Sequence, residues 1–186
     1  MHHLDYVAFV DVATGSGSDS FALAIAHTEN QTRFIDCIRE IKPPFSPEAA
    51  TDEACDLLKS YGITKVIGDR FAGEWPREAF QRHGIYYKHG DRTRSQLYLD
   101  ALPLINSRSV SLLDNKRMVA QLAGLERRTM SSGRDSVDHG PGGHDDVANV
   151  VAGALCIAPA REEKRTISQM RKPISLADYD PLHTFR

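Results

Sequence analysis

The amino-acid sequence predicts an α/β domain: a mixed sheet of three antiparallel strands followed by parallel strands, flanked by helices. Three observations lead there. Apolar segments at residues 6–10, 21–26 and 33–38 follow one another with connections too short for a crossover, which makes them antiparallel neighbours. A helix-patterned segment at residues 46–61 then precedes a short apolar run at residues 65–69, and a crossover of that length returns the run parallel to the first strand. Late in the chain, Gly140-Pro141-Gly142-Gly143-His144-Asp145-Asp146 leads into Val147, Val150, Val151, Ala154, Leu155 and Ala158 at helical spacing.

Each element has its own signal. Tyr6-Val7-Ala8-Phe9-Val10 is apolar at consecutive positions, as in a strand covered on both faces, and it ends at Asp11. Thr14-Gly15-Ser16-Gly17-Ser18 is a turn, and residues 21–26 and 33–38 complete a meander. Ser46 is an N-cap with Pro47 at the first helical position; Ala50, Ala54, Leu57, Leu58 and Tyr61 form one apolar face, and Gly62 stops the helix. The strand at residues 65–69 also ends in an acid. A helix over residues 74–80 closes at Gly84 and a fifth strand spans residues 85–88. Leu97, Ala101, Leu104 and Ile105 mark the next helix, residues 110–112 a brief strand or turn, and Met118, Leu122 and Leu125 a further helix. Residues 129–143, rich in Gly, Pro and polar side chains, read as a mobile loop or hairpin. The last helix stops at Pro159. Residues 1–160 form one domain, and residues 161–186, which show no steady period, a peripheral or flexible tail.

Bulk properties narrow the function classes. The 186 residues, 41% hydrophobic and 26% charged, suit one globular domain rather than a disordered chain. A formal charge of -2 argues against a generally basic nucleic-acid coat while allowing a local basic patch. Cys37, Cys55 and Cys156 are odd in number and widely spaced, so neither a disulfide framework nor a structural zinc site is indicated. No apolar run approaches membrane-spanning length and no signal peptide is apparent, which predicts a soluble, intracellular protein without a membrane partner.

The candidate chemistry lies in the acids. Asp11 and Asp69 end strands expected to be parallel, so both fall at the same sheet edge, where open α/β sheets place their ligands. Asp145 and Asp146 open a helix too apolar to lie on the surface, and that helix, packed on the sheet, would bring them to the same edge. Taken singly, each acid also has a structural reading: helix cap, turn residue, or ion-pair partner of Arg70. Together they offer hard oxygen donors from separate segments, the donor set of a Mg²⁺ or Mn²⁺ pair that hydrolyses phosphodiesters.

Strand with Asp, meander, helix, strand with Asp, and a late helix opening with acids is the ribonuclease H-like order. Within it the chain resembles the nuclease domain of the large subunit of tailed-phage terminases. The resemblance covers most of the chain and rests on several segments. These are Val10-Asp11-Val12-Ala13-Thr14-Gly15 with Asp19 beyond it, Ile67-Gly68-Asp69, Asp100-Ala101-Leu102-Pro103-Leu104-Ile105 running into Val110-Ser111-Leu112-Leu113-Asp114, Leu122-Ala123-Gly124-Leu125-Glu126-Arg127-Arg128, and Asp138-His139-Gly140-Pro141-Gly142-Gly143-His144-Asp145-Asp146.

The resemblance implies an endonuclease that cuts concatemeric double-stranded phage DNA during packaging, in the cytoplasm of a bacterial host. Its partners would be an ATPase motor, a small terminase subunit and a portal. By the same resemblance, Asp11 would bridge two Mg²⁺ or Mn²⁺ ions, Asp69 would hold one, and Asp146 with Asp145 the other. His144 would be a ligand, an orienting neighbour or a loop residue, and Arg127, Arg128 and Arg134 would contact DNA. The chain departs from whole terminases in containing no Gly-x-x-x-x-Gly-Lys-[Ser/Thr], so it is expected not to translocate DNA by itself; an excised domain, a split gene or a prophage remnant would fit. A junction resolvase of the same fold, or a non-catalytic DNA- or portal-binding module, are the alternatives. A phosphate-binding turn like that of actin-like ATPases would need a duplicated second domain that this length does not hold.

Overall fold

The computed structural model describes residues 4–70, 72–129, 133 and 135–160; the expected tail at 161–186 and Arg134 lie outside them. Strands β1 (Val7–Asp11), β2 (Phe21–Glu29) and β3 (Thr32–Ile41) form the antiparallel meander, with Phe9 opposite Ala24 and Asp11 opposite Ala22. Helix α1 (Pro47–Ser60) begins as expected: the Ser46 hydroxyl accepts from the Ala49 N–H at 3.4 Å and Pro47 stands in the first turn. It returns the chain to β4 (Lys65–Gly68), parallel to β1, and helix α2 (Trp75–Arg82) leads to β5 (Tyr86–His89), parallel to β4. Helix α3 (Arg94–Asn106), strand β6 (Val110–Ser111) and helix α4 (Lys116–Ala123) follow, β6 pairing parallel with β3. The sheet order is β5-β4-β1-β2-β3-β6.

Strands β7 (Leu125–Thr129) and β8 (Asp135–His139) form a separate antiparallel hairpin, and helix α5 (Asp146–Ile157) closes the described fold. One expected position is corrected here. Leu125 continues the helical spacing of Met118 and Leu122, but α4 ends at Ala123 with Gly124 as its C-cap, and Leu125 opens β7. Of the two readings of residues 129–143, the hairpin is the one formed. Among the described residues no helix is long and apolar enough to cross a membrane, and Cys37, Cys55 and Cys156 are free thiols.

The two-residue period of the strands divides the core. Val10, Leu23, Ile25 and Val66 face Ala50, Ala54, Leu58 and Phe80 of α1 and α2. On the opposite face Phe9, Ala22, Ala24 and Ala26 meet α5, which is buried from Asp146 through Leu155. The alanine row on β2 leaves no bulk between helix and sheet, and Gly153 removes the remaining obstacle: a Cβ there would lie 2.3 Å from Cγ of Phe9. Burial of Val147, Val150, Val151 and Leu155 contributes about 1.5–3 kcal/mol each, enough to seat a helix that exposes almost no polar face. Replacing Gly153 with Ala is therefore expected to destabilise the fold by about 1–3 kcal/mol through overpacking, read as a lower urea midpoint; an unchanged midpoint would contradict this contact.

Candidate metal centre

The same alternation sets the acids. Asp11 lies two residues after Phe9 and Asp69 two after Ile67, so both side chains point to the α5 face at the carboxyl ends of adjacent parallel strands. The Asp69 N–H donates to the Val10 carbonyl at 3.1 Å, which continues the β1–β4 pairing by one step. A glycine precedes Asp69 because Tyr87 from β5 fills the space beside it: a Cβ on Gly68 would lie 1.9 Å from the Tyr87 hydroxyl.

From the other side, α5 presents Asp145, Asp146 and Asn149. All four acids are buried, with relative exposures of 8% for Asp11, 7% for Asp69, 2% for Asp145 and 4% for Asp146. The structure thus brings together the four predicted carboxylates, but it does not use the α5 pair as helix caps. Asp145 occupies the N-cap position without a side-chain capping bond. The capping oxygen is Oε1 of Gln121 in α4, which accepts from the N–H groups of Val147 at 2.9 Å and Ala148 at 3.0 Å. Both Asp145 and Asp146 are thereby released for other partners.

Those partners differ. Asp146 accepts the Ser20 N–H at 3.1 Å, from the turn that enters β2. Asp145 turns to α3: Oδ2 accepts from the Tyr98 hydroxyl at 2.7 Å and Oδ1 from Nη1 of Arg94 at 2.9 Å. Nη2 of Arg94 reaches Oδ2 of Asp11 at 3.4 Å. Asn149, fully buried, donates through Nδ2 to Oδ2 of Asp11 at 2.7 Å and to Oδ2 of Asp69 at 3.3 Å, so one amide holds the two strand-end acids together. Its Oδ1 is buried without a hydrogen-bond partner among the described residues.

Burial and neighbouring charge both act on these acids. Burial pushes the Asp11 carboxyl up to about 7, against the lowering effect of Arg94 and the Asn149 hydrogen bond, and the charges of Asp69 and Asp146 add to the rise. Asp146 is also raised, first by burial and then by Asp19 and Asp145, while the Ser20 N–H opposes the shift. Burial weakens the Arg94 charge, yet Asp11 and Asp145 hold its pKa above the ordinary arginine value. Among the described residues no three His, Cys, Asp or Glu side chains converge as a preformed metal cage does. The Asn149 amide and the Arg94 guanidinium stand between them. The donor set nevertheless fits a hard divalent cation: buried carboxylates from separate elements, a proton affinity at Asp11 raised mainly by burial, and an orphaned amide oxygen beside them.

His144 is exposed and takes no part in this network. The histidine that feels the Asp145 charge is His139 at the end of β8, raised mainly by its hydrogen bond to the Gly140 carbonyl. Arg127 and Arg128 lie exposed on β7, the first paired with Asp135 and the second with Glu126 at 2.7 Å. The hairpin that carries them is tied to α3 beside Arg94 by the Val137 N–H, which donates to the Ser95 hydroxyl at 2.9 Å.

No protein-family model and no curated protein matches the sequence. Solved structures do match the fold. The large terminase nuclease of thermophilic phage G20c aligns with a TM-score of 0.72 at 19% identity, over 84% of this chain and 83% of that one. The large terminase nuclease domain of Thermus phage P74-26 aligns at 0.68 and 18% identity, over 85% and 83%. The nuclease domain of the large terminase subunit gp2 of bacterial virus Sf6 aligns at 0.60 and 15% identity, over 81% and 87%. The G20c domain has been solved with cobalt and with magnesium, and a mutant Sf6 domain with manganese and beta-thujaplicinol. The fold of this chain is thus the ribonuclease H-like fold of terminase nuclease domains.

The Gln121 cap is what fixes the first turn of α5. Gln121→Leu leaves two buried N–H groups without an acceptor and is expected to cost about 1–3 kcal/mol, measured by chemical denaturation; full stability in this variant would remove Gln121 from the account.

Proposed function

We propose that this chain is a metal-dependent endonuclease that cuts double-stranded DNA during packaging of a phage genome. The observation that carries the reading is that Asp11 and Asp69, at adjacent strand ends and held by one Asn149 amide, and Asp146, in the first turn of the helix packed on those strands, are all buried at the same edge of the sheet. Asp11 faces both Asp69 and α5 and would be the shared ligand, with Asp69 and Asp146 on either side. Asp145 is the least suited of the four, since both of its oxygens already accept from Tyr98 and Arg94. A bound pair of Mg²⁺ or Mn²⁺ ions would supply the Lewis acidity that activates water and stabilises the leaving 3′ oxygen. The fold shared with terminase nucleases, some of them solved with divalent metals, supports the same assignment.

DNA would reach the site along the β7–β8 hairpin. The Arg127 and Arg128 ion pairs are exposed and screened by solvent, so phosphates can replace their acids at little cost. Arg134, which lies outside the described residues, remains a DNA-contact candidate from the sequence alone. In this reading the partners are duplex DNA, an ATP-driven motor on another domain or chain, a small terminase subunit and a portal, within a bacterial host cell.

The test is nicking of supercoiled plasmid with Mg²⁺ or Mn²⁺. The wild type should convert it to open-circular and linear forms, and Asp11→Ala should lose more than the about 10–100-fold that outer-shell changes cost; metal-independent or absent cleavage would defeat the proposal. Mn²⁺ at 100 times its dissociation constant should also stabilise the wild type by about 2.7 kcal/mol. Asp69→Asn should lose that gain in a thermal melt.

A further inference from the structure

Arg94 sits where helix energetics would not put it. It is the first residue of α3, and a positive charge there opposes the helix dipole, with no acid in the first turn to offset it. Its backbone is nonetheless held firmly: Thr93 and Gln96 form a reciprocal capping box, the Gln96 N–H donating to the Thr93 hydroxyl at 3.3 Å and the Thr93 N–H to Oε1 of Gln96 at 2.8 Å. Its side chain is aimed by Asp145, which Tyr98, one turn further along α3, fixes in turn. The Arg94 side chain remains 38% exposed, whereas those of Asp145 and Asp11 are 3% and 12% exposed. The guanidinium therefore spans from the buried acids to the open side of the cluster. Two of its five N–H donors are used on Asp145 and Asp11, and the others have no partner among the described residues.

We propose that Arg94 is a catalytic residue of the nuclease, contacting the scissile phosphodiester, and that Asp145 is its positioning residue rather than a metal ligand. The proposal rests on the endonuclease reading above. Because Arg94 touches Asp11 and is 38% exposed, its unused donors are within reach of a phosphodiester bound over Asp11, and a guanidinium fork matches two phosphate oxygens. In the hydrolysis, a water oxygen bonds to phosphorus as the P–O3′ bond breaks; the electron pair of that bond leaves with O3′, the water gives up a proton to solvent, and O3′ takes one up to end as a hydroxyl. Arg94 stays protonated throughout and donates to a non-bridging oxygen, where negative charge concentrates in the transition state. Arg94 in contact with Asp11 also repels any cation that Asp11 binds, so its removal should tighten metal binding, the reverse of what a structural defect would do.

The experiment pairs calorimetric Mn²⁺ titration without DNA with plasmid nicking, on wild type, Arg94→Ala, Arg94→Lys, Asp145→Ala and Asp146→Ala, each checked by thermal melt. Arg94→Ala should lose about 10²–10³-fold in rate, bind Mn²⁺ at least as tightly as wild type, and recover part of its rate with millimolar guanidinium. Arg94→Lys should keep wild-type Mn²⁺ affinity and still lose most of the rate; with Asp145→Ala it carries the test if Arg94→Ala does not fold. Asp145→Ala should keep its Mn²⁺ affinity while Asp146→Ala loses it. Weaker Mn²⁺ binding by Arg94→Ala, loss of binding by Asp145→Ala, or an undiminished rate would each overturn the proposal. If the wild type does not cleave at all, the endonuclease reading fails separately. Duplex affinity in Ca²⁺ then decides Arg94: several-fold weaker binding by Arg94→Ala retains the phosphate contact, and equal binding removes it.

Discussion

The close approach of α5 to the sheet is the constraint on which the rest depends. A helix can bring acids to a strand end only if nothing bulky intervenes, and here Ala22, Ala24 and Ala26 on one face of β2, with Gly153 against the Phe9 ring, let it lie directly on the strands. The apolar side chains of α5 supply the driving force and its first turn supplies the chemistry. Gln121 takes over the capping that an N-terminal aspartate would otherwise provide, so packing, capping and acid placement are separate tasks done by separate residues.

Gathering buried carboxylates is costly, and hydrogen-bond donors offset part of that cost. Each acid has a donor: Asn149 for Asp11 and Asp69, the Ser20 N–H for Asp146, Tyr98 and Arg94 for Asp145. At Asp11 burial outweighs the Arg94 charge and the Asn149 hydrogen bond, and the carboxyl is pushed up to about 7. In the proposed function, a divalent cation would meet the acids and Arg94 the phosphate.

Much of this was legible in the sequence because it follows from period. Consecutive apolar residues ending at Asp11 and at Gly68-Asp69 marked central strands, the short links marked a meander, and the parallel pairing put both acids at the same sheet edge; that they also share the face covered by α5 is seen only in the structure. Leu125 misled because spacing alone extended α4 through Gly124, where the chain turns into β7. Asn149 was within reach, being the one amide in the otherwise apolar run of α5 after Asp146. Arg94 was not, since its partners Asp145 and Asp11 lie 51 and 83 residues away and no local pattern links them. Adjacent acids in sequence also looked alike, whereas Asp145 is a non-helical N-cap and Asp146 the first helical residue, and they serve different neighbours, Asp146 the Ser20 turn and Asp145 α3. His144 shares their motif but sits outside the network, because it precedes the helix and faces solvent.

The central claim is that Asp11, Asp69 and Asp146 form one cation site. Anomalous diffraction from Mn²⁺-soaked crystals tests it most directly. The account predicts manganese peaks bounded by the carboxylates of Asp11, Asp69 and Asp146, with Asp145 still facing Arg94; peaks confined to other acids, or none at this edge of the sheet at saturating Mn²⁺, would contradict it.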